Sequence, residues 1–347
     1  MGKNLTLKDL AQKLGLSTST VSRALQNNPA ISDDTRLRVN KLAKKIGYYP
    51  DALAKSLKNK KSYTIGVIVP EISHFFFSSV IDGIEDVTYK DGYTILVTKS
   101  NEDFEREVLN LESLISNRVA GVIASISQNT KTGKHFYNII NRGIPLVLFD
   151  RVLDDLDVHK IVGDDFEKVY EMVNHLIDSG YQNIAYLAGP SHLNITMNRV
   201  DGYKKALIDN NIELMDGLIM NVNLNENDGF EGAKTLIREF PKIDAICCVN
   251  DPVAIGVYKY LNKVGIKIPD KVGVTGFSNN PSTERVNPPM TTVDQQGYKM
   301  GRKAAKILLQ KINNELIDSL DKTHIIEGNL IIRDSSQKTR KEILIID

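Results

Sequence analysis

Five side chains able to read a polyanion stand within six positions of one another: Thr18, Ser19, Thr20, Ser22 and Arg23. Short hydroxyls reach phosphate oxygens or either kind of base edge, and a guanidinium can fork onto guanine. Taken alone, such a run is equally the solvated face of any helix. Other candidates gather where apolar, strand-like runs end. Ser73-His74-Phe75-Phe76-Phe77 follows Thr64–Val69, and Asp150-Arg151 follows Pro145–Phe149. An aromatic cluster there either packs inward or stacks on a ligand. Asp150 and Arg151 either recognise hydroxyls and carboxylates or pair with other charges. His74 is a candidate for ligand choice or a structural histidine. Catalytic constellations are missing: there is no Walker phosphate loop, no G-x-G-x-x-G after a strand, no H-E-x-x-H and no G-x-S-x-G. The reading is therefore no enzyme, no metal and no cofactor. Cys247 and Cys248 are adjacent in an apolar run, a poor geometry for a disulfide, and read as small buried hydrophobes.

Charge decides how the first cluster is read. Residues 1–61 hold 13 Lys/Arg against 4 Asp/Glu, whereas residues 62–347 hold 31 against 39. A basic head on an acidic body fits a polyanion-binding module joined to something else. Thr6-Leu7-Lys8-Asp9 has the form of a capping box, and Leu7, Leu10, Ala11 and Leu14 recur at helical spacing. Gly15 ends that helix, Ser17 caps a second with Val21, Ala24 and Leu25 inward, and Ser32-Asp33-Asp34 opens a third. The third carries Leu37, Val39, Leu42, Ala43 and Ile46 as its apolar set. Two short helices around a glycine turn, braced by a third, make a helix-turn-helix over residues 1–49. Residues 50–61 hold Pro50, room for about two helical turns, and a Lys-rich linker. So short a helix is marginal alone in water.

From residue 62 apolar runs alternate with amphipathic segments: Thr64–Val69, Thr94–Val97, Gly121–Ala124, Pro145–Phe149, Ile184–Leu187, Ala245–Val249 and Val272–Thr275. Continuous apolar strands separated by helices predict parallel sheets covered on both faces. The strands are too numerous for one compact sheet, so two doubly wound lobes are expected, with a ligand cleft at the strand carboxyl ends.

The motif string Leu7-Lys8-Asp9-Leu10-Ala11, Leu16–Leu25, Ile46–Pro50 and Ala52–Leu57 closely resembles the LacI/GalR family of repressors. The resemblance extends over nearly all of the body. It implies an α-helical headpiece and a two-lobed α/β core like that of periplasmic sugar-binding proteins. The implied division is 62–161 with about 293–323 in one lobe and 162–292 with about 324–335 in the other. It implies DNA contacts by Thr6, Ser17, Thr18, Ser19, Thr20, Ser22, Arg23 and Asn28, with Ala54, Lys55 and Leu57 at a minor-groove hinge. It places effector contacts at Ser73, Phe76, Phe77, Asp150, Arg199, Asn250, Ser278 and Gln295, with Asp251 capping the helix after Asn250. Many relatives carry Asp where Ser278 stands. With Arg151 and Arg199 retained, the loss of that carboxylate favours an anionic effector such as a sugar acid over a neutral sugar.

The expected function is a cytoplasmic, homodimeric regulator of a carbohydrate-related operon, most simply a repressor. Its partners are palindromic double-stranded DNA and a small polar effector. No apolar run long enough to cross a membrane is present, and no secretory leader is read at the N-terminus. Residues 336–347 form a tail in which Ile343–Ile346 is either an added edge strand or a partner contact.

Overall fold

A computed structural model describes residues 6–25, 27–48, 62–315 and 322–338. The chain divides into two compact units, Met1–Ser62 and Tyr63–Asp347. The hinge candidates Ala54, Lys55 and Leu57 and the apolar tail Ile343–Ile346 lie outside the described residues.

The first unit contains α1 (Leu7–Leu14), α2 (Thr18–Leu25) and α3 (Asp33–Ile46). The Asp9 amide donates to Thr6 Oγ1 at 3.2 Å while the Thr6 amide donates to the Asp9 carboxylate at 2.8 Å, which completes the box. Gly15 and Gly47 end α1 and α3 at φ 65° and 67°, a left-handed geometry that suits glycine. Leu10, Ala11, Val21, Ala24, Val39 and Ala43 form the core of the unit. Leu37 does not join them. It lies two residues from Val39, about 200° around the helix, and is 69% exposed.

In the second unit, six strands make a parallel sheet: β1 (Thr64–Val69), β2 (Thr94–Lys99), β3 (Gly121–Ala124), β4 (Leu146–Phe149), β5 (His159–Gly163) and β11 (Thr323–Ile326). Their order is β11-β5-β4-β3-β1-β2. A second parallel sheet has the order β7-β6-β8-β9, from β6 (Ile184–Ala188), β7 (Ile219–Asn221), β8 (Ala245–Cys248) and β9 (Gly273–Thr275). An antiparallel pair, β10 (Thr292–Asp294) with β12 (Asn329–Ile331), adjoins the second sheet through a bridge from Thr291 to Thr275. Three lobe boundaries therefore move, since β10 keeps the chain with the second sheet through Asp294 rather than 292. The first sheet keeps the chain through Gly163 rather than 161, and through Ile326 rather than 323, because β5 and β11 pair with each other along their lengths.

Helices cover both faces of each sheet. On the first lobe α4 (Phe75–Lys90) packs closely on α11 (Gly297–Ile312). A Cβ built on Gly83 would lie 2.2 Å from the Tyr298 carbonyl oxygen, and one on Gly301 would lie 2.0 Å from that of Val80. Glycine at both positions is what lets the two backbones touch. Cys247 and Cys248 are fully buried free thiols in β8. Burial pushes Cys247 up to about 12, which suits inert core packing. Among the described residues no helix is long and apolar enough to cross a membrane.

Candidate functional site

In the first unit α2 presents the expected recognition side chains. Val21 and Ala24 turn into the core, which leaves Thr18, Ser19 and Arg23 exposed and Thr20 and Ser22 half-buried. Ser17 caps the helix by accepting the Thr20 amide at 3.1 Å, and its hydroxyl also lies 2.8 Å from those of both Ser19 and Thr20. Asn28 folds its side-chain oxygen onto the Ala30 amide at 2.9 Å, so the donor half of its amide is the part left to reach outward. Thr6 stays engaged in its capping box. The head is thus a capped scaffold with hydroxyls and one long guanidinium on an open helix face.

In the second unit the strand ends of the two lobes face one another across a cleft. Its main cavity, of about 350 Å³, is lined by residues from both lobes, among them Ser73, His74, Phe77, Glu102, Arg151 and Asn250. A smaller cavity of about 30 Å³ continues inward past Phe76, Asp150, Arg199, Ser278 and Gln295. All eight side chains expected at an effector site therefore surround one space. In the aromatic cluster Phe76 and Phe77 are buried, edge to face at 5.2 Å between ring centres, and both line the cleft, whereas Phe75 is exposed.

Arg199 comes from α8 (Asn194–Asp209) and is 2% exposed. The protein itself supplies acceptors for its guanidinium. Nε and Nη2 contact Asp165 Oδ1 at 2.8 and 2.7 Å, Nη1 donates to the Val249 carbonyl at 2.6 Å, and the guanidinium carbon stands 3.8 Å over the Phe277 ring. Burial pushes the Asp165 carboxyl upward, and the Arg199 charge opposes it. Arg151 is also matched, with Nη1 at 2.9 and 2.8 Å from the two carboxylate oxygens of Glu102. Its Nε is buried without a hydrogen-bond partner, and the nearest carboxylate oxygen, on Asp150, is 3.9 Å away.

Asp150 leaves β4 in a left-handed conformation at φ 57°, which turns its carboxylate into the cleft. Gln295 donates to it at 3.3 Å, and the Asn194 amide ties its carbonyl to the second lobe at 3.0 Å. Burial raises its acid to about 6 against the pull of Arg151 and Arg199. His74 is pushed down to about 4, first by burial and then by the same two arginines, so its imidazole is neutral at physiological pH. It occupies the N-cap position of α4 without capping it, and its Nδ1 has no partner. Ser278 holds a strained φ of 122°, anchored by its amide to the Val293 carbonyl at 2.8 Å.

In the Asn250-Asp251 pair the capping role expected of Asp251 falls to Asn250. Asn250 caps α10 (Asp251–Lys263) through the Val253 amide at 2.9 Å and also donates to the Leu224 carbonyl at 3.2 Å. Asp251 instead grips Thr292 Oγ1 at 2.6 Å and the Asn280 amide at 2.7 Å, which fastens the returning chain to the second lobe. Asn250 thus reaches the cleft with part of its amide already used.

Sequence reasoning did not single out Glu102, Gln128 or Leu224, which also line the cleft. No pattern marks them. Glu102 is one acid among many in a loop, and its φ of 59° becomes visible only in the fold.

Comparison with known proteins agrees with this architecture. Residues 6–51 match the model of bacterial regulatory proteins of the lacI family, and residues 62–331 match that of periplasmic binding proteins and the sugar binding domain of the LacI family. Catabolite control protein A of Priestia megaterium is 30% identical over 91% of this chain and 95% of its own length. The HTH-type transcriptional repressor PurR of Vibrio atlanticus is 31% identical over 89% of this chain and 92% of its own. The structure of the Lac repressor dimer bound to operator and the anti-inducer ONPF shares the fold. Its TM-score is 0.85 at 23% identity, over 96% of this chain and 99% of that one. The chain belongs to the LacI family of bacterial regulatory proteins, as a transcription regulator with a DNA-binding helix-turn-helix head and a ligand-binding core.

Proposed function

We propose that this protein binds a two-fold operator as a homodimer through α2 and represses a carbohydrate-related operon. Its DNA affinity is set by a neutral, polyhydroxylated effector held in the cleft. The observation that carries the effector class is the pairing of the cleft's arginines. Glu102 matches Arg151 and Asp165 matches Arg199, so neither presents an unbalanced positive charge. That removes the basis for expecting a sugar acid. The neutral His74 imidazole, the Arg151 Nε donor and the Asp150 carboxylate offer donors and acceptors in the mixture that sugar hydroxyls satisfy, beside the Phe77 ring. A cavity of about 350 Å³ is in the range of small-molecule sites. The homodimer follows from the symmetry of palindromic sites and accords with the operator-bound dimer of the Lac repressor.

The test is selection of binding sites from random duplex DNA by the full-length protein, followed by anisotropy titrations with pentoses, hexoses and disaccharides. The expected result is an enriched palindrome whose affinity at least one neutral sugar changes. Arg23→Ala should cost roughly 1–3 kcal/mol on that site and relax specificity at one position of each half. Binding with no sequence preference, or an enriched site indifferent to every sugar, would overturn the reading.

A further inference from the structure

Of the two arginines in the cleft, Arg199 is consumed: Asp165 and the Val249 carbonyl take its donors, and Phe277 covers its face. Arg151 differs. Only Nη1 among its nitrogens is hydrogen-bonded to a described residue, Nε is buried without a partner, and the residue lines the main cavity. Its hydrogen-bonded counter-charge is Glu102, a residue of the loop between β2 and α5 (Phe104–Ser116), with Asp150 farther off at 3.9 Å. Glu102 also accepts the Gln128 amide at 2.7 Å, while its own carbonyl accepts from Asn129 Nδ2 at 2.7 Å. One side chain therefore ties together the loops that follow β2, β3 and β4 and stands in the wall of the cavity itself.

Building on the neutral-effector reading, we propose that Glu102 is the residue that sets the charge specificity of the cleft. By holding Arg151 at Nη1 it cancels the one cation that still has an open donor, so hydroxyl-bearing ligands are accepted and carboxylate-bearing ones are rejected. A ligand carboxylate reaching for Arg151 Nε would sit one guanidinium away from Glu102 and directly against Asp150, whose Oδ2 lies 3.9 Å from that nitrogen. Like charges at such range in a partly desolvated site repel strongly. A sugar hydroxyl meets no such repulsion and can accept from the same nitrogen.

Glu102→Gln removes the charge yet keeps an oxygen for the Gln128 amide, and Glu102→Ala supplies the same charge change if Glu102→Gln loses its fold by circular dichroism. Calorimetry on the full-length protein would compare ring-matched pairs, D-glucose with D-glucuronate and D-galactose with D-galacturonate, across wild type, Glu102→Gln and Glu102→Gln/Arg151→Gln. The expected result is a uronate affinity raised on the order of tenfold or more in Glu102→Gln, one charge-assisted contact's worth, and lost again in the double variant. No gain in the single variant, or a gain that survives loss of Arg151, overturns the proposal. The class reading fails separately, if wild type itself prefers the uronate of a pair. A uronate gain in Glu102→Gln supports the role of Glu102 even where wild type binds neither member.

Discussion

Asp150 illustrates how one buried carboxylate can report on the cleft. It is 4% exposed, and burial holds its acid at about 6 against an ordinary 3.8. Asp251 is likewise raised to about 6, by burial and against its hydrogen bonds. A carboxyl whose folded value is raised binds its proton more tightly in the folded state. Its contribution is therefore favourable below about 4 and is lost as pH climbs through about 6. Asp150→Asn should remove this loss at its own site, raising stability at pH 7.5 by on the order of 2 kcal/mol. It should also flatten the dependence between pH 4 and 7 and weaken sugar binding. Urea titrations of the full-length protein across that pH range check the first two. A variant less stable than wild type at pH 7.5 would contradict the assignment. Arg199→Ala acts in the opposite sense, since it leaves Asp165 buried without its partner. It should destabilise the core by about 3–5 kcal/mol, visible in the same titrations.

At the scale of elements, the close helix pair makes the sharpest stability claim. Gly83→Ala would place a methyl 2.2 Å from a backbone oxygen that no rotamer change can move. Forcing α4 off α11 should cost roughly 1–3 kcal/mol or more, and thermal unfolding that matches wild type would refute the contact. Apolar runs such as Thr64–Val69 and Gly121–Ala124 announce themselves because strands covered on both faces need side chains apolar throughout. β5 opens with His159-Lys160, and β7, β10 and β12 have three residues each, so neither periodicity nor composition marks them. The helical head was legible down to its caps because Thr6, Asp9, Gly15 and Gly47 each act within one turn. Leu37 escaped because an apolar residue alone does not reveal which side of α3 it takes. In the cleft, the residues at strand ends could be read from position. The partners that decide their charge could not, since Glu102 reaches Arg151 across 49 positions of sequence and Asp165 reaches Arg199 across 34.

For the whole molecule, residues 50–61 lie in the chain between the DNA-binding head and the ligand-binding core, and the proposed control of operator binding by an effector has a thermodynamic signature. Whatever factor a bound sugar imposes on operator affinity, bound operator must impose on sugar affinity. The cleft already holds its lobes together at Asn194, which accepts the Val152 amide at 3.0 Å and donates to the Asp150 carbonyl at 3.0 Å. An effector that adds contacts beside this joint has a defined place at which to shift the lobes. The most direct measurement is a pair of titrations on the full-length protein, using the selected operator and the sugar that binds best. Sugar dissociation constants are taken with and without saturating operator, and operator constants with and without saturating sugar, at one fixed salt concentration. The expected result is two factors that are equal and clearly different from one. A sugar that binds the cleft with the same affinity whether or not operator is present would contradict it.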